Sequence, residues 1–208
     1  MKKILIIGII LGLTNCTVSQ DRLAENKTFK KTFSSTEIQD LQLLFDFFNK
    51  SICSGVETQD LTDCYKEFFK RMEKSSEAND MQLSIPFDKQ MEVYNELSDL
   101  TFNEIWNLDG TRVYLETPQD TFRIAYIDLD GKYLEFLKKT GESDKVIKQY
   151  YETLLEVGDF SPSLIIGILM NYEQYDIEDI RVKFIVAIHY LTLNDRFERK
   201  EKINKNSG

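Results

Sequence analysis

The sequence predicts a mainly helical protein, built as a compact multi-helix array with a small β-hairpin in the middle. Apolar residues recur at three- and four-residue spacing along most of the chain, which is the period of an amphipathic helix. The first such stretch contains Ile38, Leu41, Leu44, Phe45 and Phe48. Helix-starting and helix-ending residues separate these stretches. Strand-like alternation is confined to the region 111–128.

The first three predicted helices have recognisable starts. Thr36 and Gln39 have the spacing of a capping box, so we expect the first helix to begin there. A second helix is expected from Asp60, with an apolar face that contains Tyr65 among other aromatic residues. A third is expected from Pro86, because proline is favoured in the first turn of a helix.

The middle of the chain alternates apolar and polar residues as a half-buried strand does. The two segments with this pattern are 111–117 and 122–128, and Pro118 lies between them. We expect the two segments to pair as an antiparallel hairpin. Two strands alone make a marginal sheet, so this hairpin needs to pack against helices.

Four helices are expected after Gly131. Gly141 and Gly158 end two of them, and Ser161-Pro162 opens a third that is apolar almost all round. Asp176 is expected to cap the last helix, which carries a broad apolar stripe. The width of that stripe predicts a helix that packs against neighbours on more than one side.

The first sixteen residues have the layout of a secretory signal. Two lysines precede an apolar run from Ile4 to Leu13, and Cys16 follows soon after. The run has ten residues, whereas a membrane-spanning helix needs about 20. The expected organisation is therefore a signal peptide over 1–15, a flexible tether over 16–35, one helical domain over 36–197 and a disordered tail over 198–208.

The segment Leu13-Thr14-Asn15-Cys16 resembles the lipobox of bacterial lipoproteins. The resemblance implies cleavage before Cys16, attachment of lipid, including palmitate, to that cysteine, and a membrane as partner through the lipid. The alternative is an ordinary signal peptide with a chance cysteine. Thr17 is not the aspartate that retains many lipoproteins at the inner membrane, so the resemblance favours the outer membrane, facing the periplasm or the cell surface.

The mature chain would be strongly acidic. Removal of Lys2 and Lys3 leaves 24 basic residues against 35 acidic ones, which is a formal charge of −11. Such a surface repels polyanions, so nucleic acid is not an expected partner. It also predicts little attraction to anionic lipid, so we expect the lipid alone to hold the protein at the membrane.

Cys53 and Cys64 are the other cysteines in the chain. Export to an oxidising compartment favours a disulfide between them. Unpaired thiols in the core are the alternative. A zinc site is not expected, because the two residues lack the spacing of zinc ligands and no histidine is near.

An apolar strand that ends in Asp128-Leu-Asp130-Gly131 resembles the first motif of haloacid-dehalogenase-type phosphatases. The resemblance implies that Asp128 attacks phosphorus, that Asp130 acts as acid and base, and that both lie beside Mg²⁺. The alternative is an ordinary turn between a strand and a helix, since Asp and Gly are common turn residues. A calcium loop is not expected, because Tyr126 and Leu137 would occupy ligand positions that need oxygen donors.

The sequence contains few residues that could support other catalysis, metal binding or cofactor binding. His189 is the only histidine and lies in the most apolar helix, so we expect a hydrogen-bonded core residue, not a catalytic base. We expect no metal, because one histidine cannot form a two-histidine site within one chain, and no cofactor, since no phosphate-binding glycine motif occurs. Tyr172 and Tyr175 are either part of a recognition surface or turn residues that close the core.

Two functions follow from these observations. The first is a lipid-anchored, non-enzymatic envelope protein that binds another protein, and one form of this function is an immunity-type inhibitor of a basic toxin. The second is a magnesium-dependent, phosphatase-like enzyme that uses Asp128 and Asp130.

Overall fold

A computed structural model describes residues 21–58, 60–77, 83–113, 121–158 and 162–199. Within those ranges the chain forms nine α-helices and one two-stranded antiparallel sheet, which confirms the predicted fold class. The helices are α1 (Lys27–Thr32), α2 (Ser35–Ile52), α3 (Leu61–Glu77), α4 (Phe87–Glu96), α5 (Asp99–Asn103), α6 (Lys132–Gly141), α7 (Lys145–Val157), α8 (Pro162–Met170) and α9 (Ile180–Glu198). The strands are β1 (Trp106–Val113) and β2 (Thr121–Ile127). None of the helices in these ranges is both long and apolar enough to cross a bilayer.

The predicted tether is wrong from residue 21 onward, because this part of the chain is folded. Leu23 lies in a short 3-10 turn, Asn26 caps α1, and both Leu23 and Phe29 are fully buried. The Phe29 ring lies 4.5 Å from the ring of Phe136 and 5.1 Å from that of Phe184. A helix of six residues is too short to show a helical period in the sequence, so the sequence pattern does not indicate that Phe29 is buried. Residues 16–20 lie outside the described part of the chain.

Helix α2 begins two residues earlier than predicted. Ser34 is the N-cap, its hydroxyl accepts from the amide of Glu37, and the Glu37 carboxylate accepts from the amide of Ser34. The capping box therefore uses Ser34 and Glu37 instead of Thr36 and Gln39. Both pairs have the same spacing, and the pair that was chosen places the predicted apolar stripe of α2 in the core.

Cys53 ends α2, and Cys64 lies in the first turn of α3. The two cysteines form a disulfide with their Cα atoms 5.0 Å apart, as predicted. Phe48 and Tyr65 pack beside it, with ring centroids 5.9 Å apart. The bond therefore joins two helices that already share apolar contacts.

The hairpin is present, but β1 starts at Trp106, five residues before the predicted start at 111. Trp106 pairs with Ile127 and Val113 pairs with Thr121, with an irregularity between Asn107 and Gly110. Pro118 and residues 114–117 of the first predicted strand lie outside the described residues.

Helix α9 is the centre of the molecule. Every residue from Val182 to Asp195 is buried, which confirms the prediction of a helix packed on more than one side. Its N-cap is Asp179, not Asp176, because the Asp179 carboxylate accepts a hydrogen bond from the amide of Arg181 in the first turn of the helix. The domain also extends past the predicted boundary at 197, since Arg199 is buried; residues 200–208 are not described.

Candidate functional site

Asp128 and Asp130 lie in the turn that joins β2 to α6. One carboxylate oxygen of Asp128 accepts a hydrogen bond of 2.8 Å from the amide of Asp130, and the carbonyl of Asp128 accepts from the amide of Gly131. The amide of Asp128 donates to the carbonyl of Ile105, so the turn is tied to the start of β1. This is the alternative interpretation of the motif: Asp128 supports a turn through its side chain.

Gly131 is required at this turn by a close approach of backbone. A Cβ atom at this position would lie 2.5 Å from the carbonyl oxygen of Glu104. The same carbonyl accepts from the amide of Tyr133, and the Glu104 carboxylate accepts from the amide of Lys132. The glycine of the motif therefore brings the start of α6 against the end of α5.

Lys132, the residue that follows the motif, forms a small ion-pair cluster. Its ammonium group pairs with the buried carboxylate of Glu37 and lies 3.0 Å from the carboxylate of Glu104. Burial opposes the charged form of Glu37, but hydrogen bonds from Lys132 and Ser34 outweigh it, so the pKa of Glu37 lies below its usual value. The cluster joins the starts of α2 and α6 to the end of α5.

The turn does not assemble the site that the phosphatase resemblance implies. Among the described residues no three His, Cys, Asp or Glu side chains are grouped to hold a metal ion. The described strands form an antiparallel pair, and the described segments after Gly131 are helical, whereas that family places further catalytic groups on parallel strands. The two aspartates are neighbours in one turn. Lys132, which follows them, pairs with the carboxylates of Glu37 and Glu104.

His189 is fully buried in α9. Its Nδ1 lies 3.1 Å from the hydroxyl of Tyr150, and its ring packs edge-on against Tyr190 at 5.1 Å. Burial raises the pKa of Tyr150 well above its usual value. These contacts match the prediction of a hydrogen-bonded core histidine.

The tyrosines of the turn before α9 close the core. Tyr172 stacks on Phe69 with ring centroids 4.9 Å apart, and Tyr175 is buried. Burial raises the pKa of Tyr175, and the nearby charge of Asp144 adds to the effect. Of the two interpretations offered for these residues, the structural one therefore applies.

A surface that the sequence did not suggest lies where α5 meets α2. Asp40 accepts three hydrogen bonds from the start of α5: from the amide of Ser98 at 3.2 Å, from its hydroxyl at 2.8 Å, and from the Thr101 hydroxyl at 2.6 Å. Partial burial would raise the pKa of Asp40, but the bonds from Thr101 and Ser98 outweigh it and lower the pKa. Asp40 therefore joins the start of α5 to α2.

Two large apolar side chains project beside this junction. Leu43, one turn along α2 from Asp40, is 41% exposed, and Leu100, next to Thr101, is 64% exposed. The stretch 87–104 carries five acidic residues and one basic residue, among them the exposed Glu96 and Asp99. We call Leu43, Leu100, Glu96 and Asp99 the α2–α5 corner. Leu100 follows Tyr94 and Leu97 at three-residue spacing, so the sequence gives no sign that its side chain is exposed.

Comparison with protein-family models, with curated proteins and with solved structures finds no match for this chain.

Proposed function

We propose that this chain is a lipid-anchored protein of the cell envelope that binds a basic protein and catalyses no reaction. The signal-like N-terminus and the lipobox resemblance support the anchor at Cys16. The outer membrane is the favoured address. Neutralising a basic toxin, as an immunity protein does, is one form of this function.

The observation that carries the binding proposal is the α2–α5 corner. Interfaces are built from apolar anchors in a polar rim, and rigid anchors lose little entropy on binding. Leu43 and Leu100 are exposed on elements that the Asp40 hydrogen bonds hold together. The acidic residues beside them favour a partner with basic charge and speed its capture.

The test uses charge at the corner and a matched control elsewhere. The first variant is Leu43→Glu with Leu100→Glu. The control is Leu155→Glu with Met170→Glu on α7 and α8, where the two side chains are 44% and 68% exposed, nearly the same fractions as at the corner. Circular dichroism first shows that each purified protein is folded. Each protein is then cross-linked in cells and purified, and mass spectrometry identifies the proteins captured with it.

The expected result is one stoichiometric partner with a high isoelectric point, captured by the wild type and the control and lost from the corner variant. The binding constant of the purified pair should weaken at least about tenfold in the corner variant, since a hot-spot residue contributes on the order of 2 kcal/mol. A partner captured equally by all three proteins would refute the role of the corner. Absence of any enriched partner would refute the binding function.

The anchor is tested separately with Cys16→Ser. The wild type should float with membranes and carry the mass of lipid on Cys16, and the variant should lose both properties. Separation of inner from outer membranes then tests the address. Hydrolysis of phosphate esters with Mg²⁺, abolished by Asp128→Asn, would instead establish the enzymatic alternative and contradict the proposal.

A further inference from the structure

The charge of the folded chain is distributed unevenly, and its N-terminal part is basic. Four basic residues and one acidic residue lie between Arg22 and Lys31, in a protein whose overall charge is −9. Lys27, Lys30 and Lys31 are exposed on α1, and Phe29 is buried on the same helix. At 100° per residue Lys27 and Lys31 lie about 160° from Phe29 around the helix, and Lys30 lies about 100° from it. They therefore point away from the core together.

The end of α6 extends this basic surface. The Lys139 ammonium group donates to the carbonyl of Lys31 at 3.2 Å and pairs with Glu135 at 2.6 Å, and the neighbouring Lys138 is exposed. Glu135 therefore offsets one of these two charges. We call Lys27, Lys30 and Lys31 the α1 basic face.

The start of the folded domain is fixed by contacts of Asp21. The Asp21 carboxylate lies 2.8 Å from the buried ammonium group of Lys183, and its carbonyl accepts from the side chain of Gln42. Gln42 also accepts from the amide of Leu23. Asp21 is thus held to both α2 and α9.

A lipid on Cys16 would leave little chain between the membrane and the domain. Asp21 is five residues beyond Cys16. Even a fully extended chain spans at most about 3.6 Å per residue, so the backbone of Asp21 lies within about 18 Å of the lipidated residue. The folded domain is therefore held against the membrane, not suspended from a twenty-residue tether.

We infer that the α1 basic face lies on anionic lipid headgroups and orients the domain on the membrane. This inference rests on the proposed lipid anchor. Lysines near an anionic bilayer are attracted within about a Debye length, and a lipid chain together with basic residues is a common two-part membrane attachment. Overall acidity does not prevent this, because only the charges close to the surface act on it.

The test labels lysines on the lipidated, full protein. The protein is bound to vesicles of phosphatidylcholine alone, or of equal parts phosphatidylcholine and phosphatidylglycerol, and is treated with an amine-reactive acetylating reagent. Mass spectrometry gives the rate at each lysine. Lys66 and Lys70 on α3 are controls, since their side chains are about half exposed.

The expected result is about fivefold slower labelling of Lys27, Lys30 and Lys31 on the anionic vesicles than on the neutral ones. Lys66 and Lys70 should label equally on both. The protection should disappear in about 1 M salt, where the Debye length is about 3 Å. Equal labelling of the α1 lysines on both vesicles would overturn the inference.

A charge variant gives a second, independent readout. Lys27→Gln with Lys30→Gln should abolish the salt-sensitive protection of Lys31, whereas Lys66→Gln with Lys70→Gln should leave it intact. Continued protection of Lys31 in the first variant would contradict the orientation.

The two proposals fail in different ways. If Cys16 carries no lipid by mass and the protein floats with neither vesicle, the anchor fails and the orientation fails with it. If the protein is lipidated and floats but its lysines label equally, only the orientation fails.

Discussion

The buried ion pair at the end of α9 provides the sharpest prediction about stability. The Asp195 carboxylate is fully buried, and the Arg199 guanidinium donates to its two oxygens from Nε at 3.0 and 2.9 Å. The carboxylate also accepts from the amide of Ala125 in β2 at 2.8 Å. The pair therefore joins the last turn of α9 to the hairpin. The perturbations are Asp195→Ala, Arg199→Ala and the double variant.

The expected magnitudes follow from burial. Removing either partner leaves the other charge buried without its counter-charge, which costs about 3–5 kcal/mol. Asp195→Ala also leaves the Ala125 amide without that acceptor, which adds about 1–3 kcal/mol. The double variant leaves neither charge, so its loss should be smaller than the sum of the single losses by at least about 2 kcal/mol.

The assay is urea unfolding followed by far-UV circular dichroism and by the fluorescence of the single tryptophan, Trp106. Free energies are compared only where the denaturant slope is unchanged. Strict additivity of the two single losses would refute the reasoning, and so would a loss below about 1 kcal/mol for Asp195→Ala. Either result would mean that water reaches the pair.

Three further perturbations test other contacts. Thr192→Val removes the hydroxyl that accepts from the Trp106 indole at 2.8 Å, so thermal unfolding should show a loss of about 1–3 kcal/mol; an unchanged midpoint would show that the indole finds another acceptor. Reduction of the Cys53–Cys64 disulfide should cost about 3 kcal/mol in urea unfolding, and no shift of the midpoint would show that the bond contributes nothing. Hydrogen bonds lower the pKa of Asp40 in the folded state, so its contribution is present above its unfolded pKa of about 3.9 and is lost as the pH falls through the lower folded value. Asp40→Asn should therefore be less stable than the wild type at neutral pH and lose less stability on acidification; parallel curves would contradict this.

Local signals in the sequence predicted much of the fold. The stripe of α2, the glycine end of α7 and the apolar width of α9 all appear as expected, because each depends on residues close together in the chain. The disulfide was also predicted, from two cysteines in a chain whose N-terminus resembles an export signal. These features need no knowledge of distant contacts.

The largest differences between prediction and structure occurred where distant residues decide the structure. Residues 21–32 are polar enough to look like a tether, but Phe29 finds Phe136 and Phe184 more than a hundred residues away. The α2–α5 corner depends on Asp40 and Thr101, which are 61 residues apart. The sequence does not reveal the contacts of Phe29 or Asp40, because a single phenylalanine or aspartate can have many ordinary roles.

The sequence by itself determined the helical class, the positions of most helices, the disulfide and the strong acidity of the chain. Only the tertiary structure decided where the folded domain begins, which turn residues are structural and which charges share a face. The physical reason is the range of the forces involved. Helix periodicity and capping act within a few residues, whereas burial and ion pairing join residues that meet only after the chain has folded.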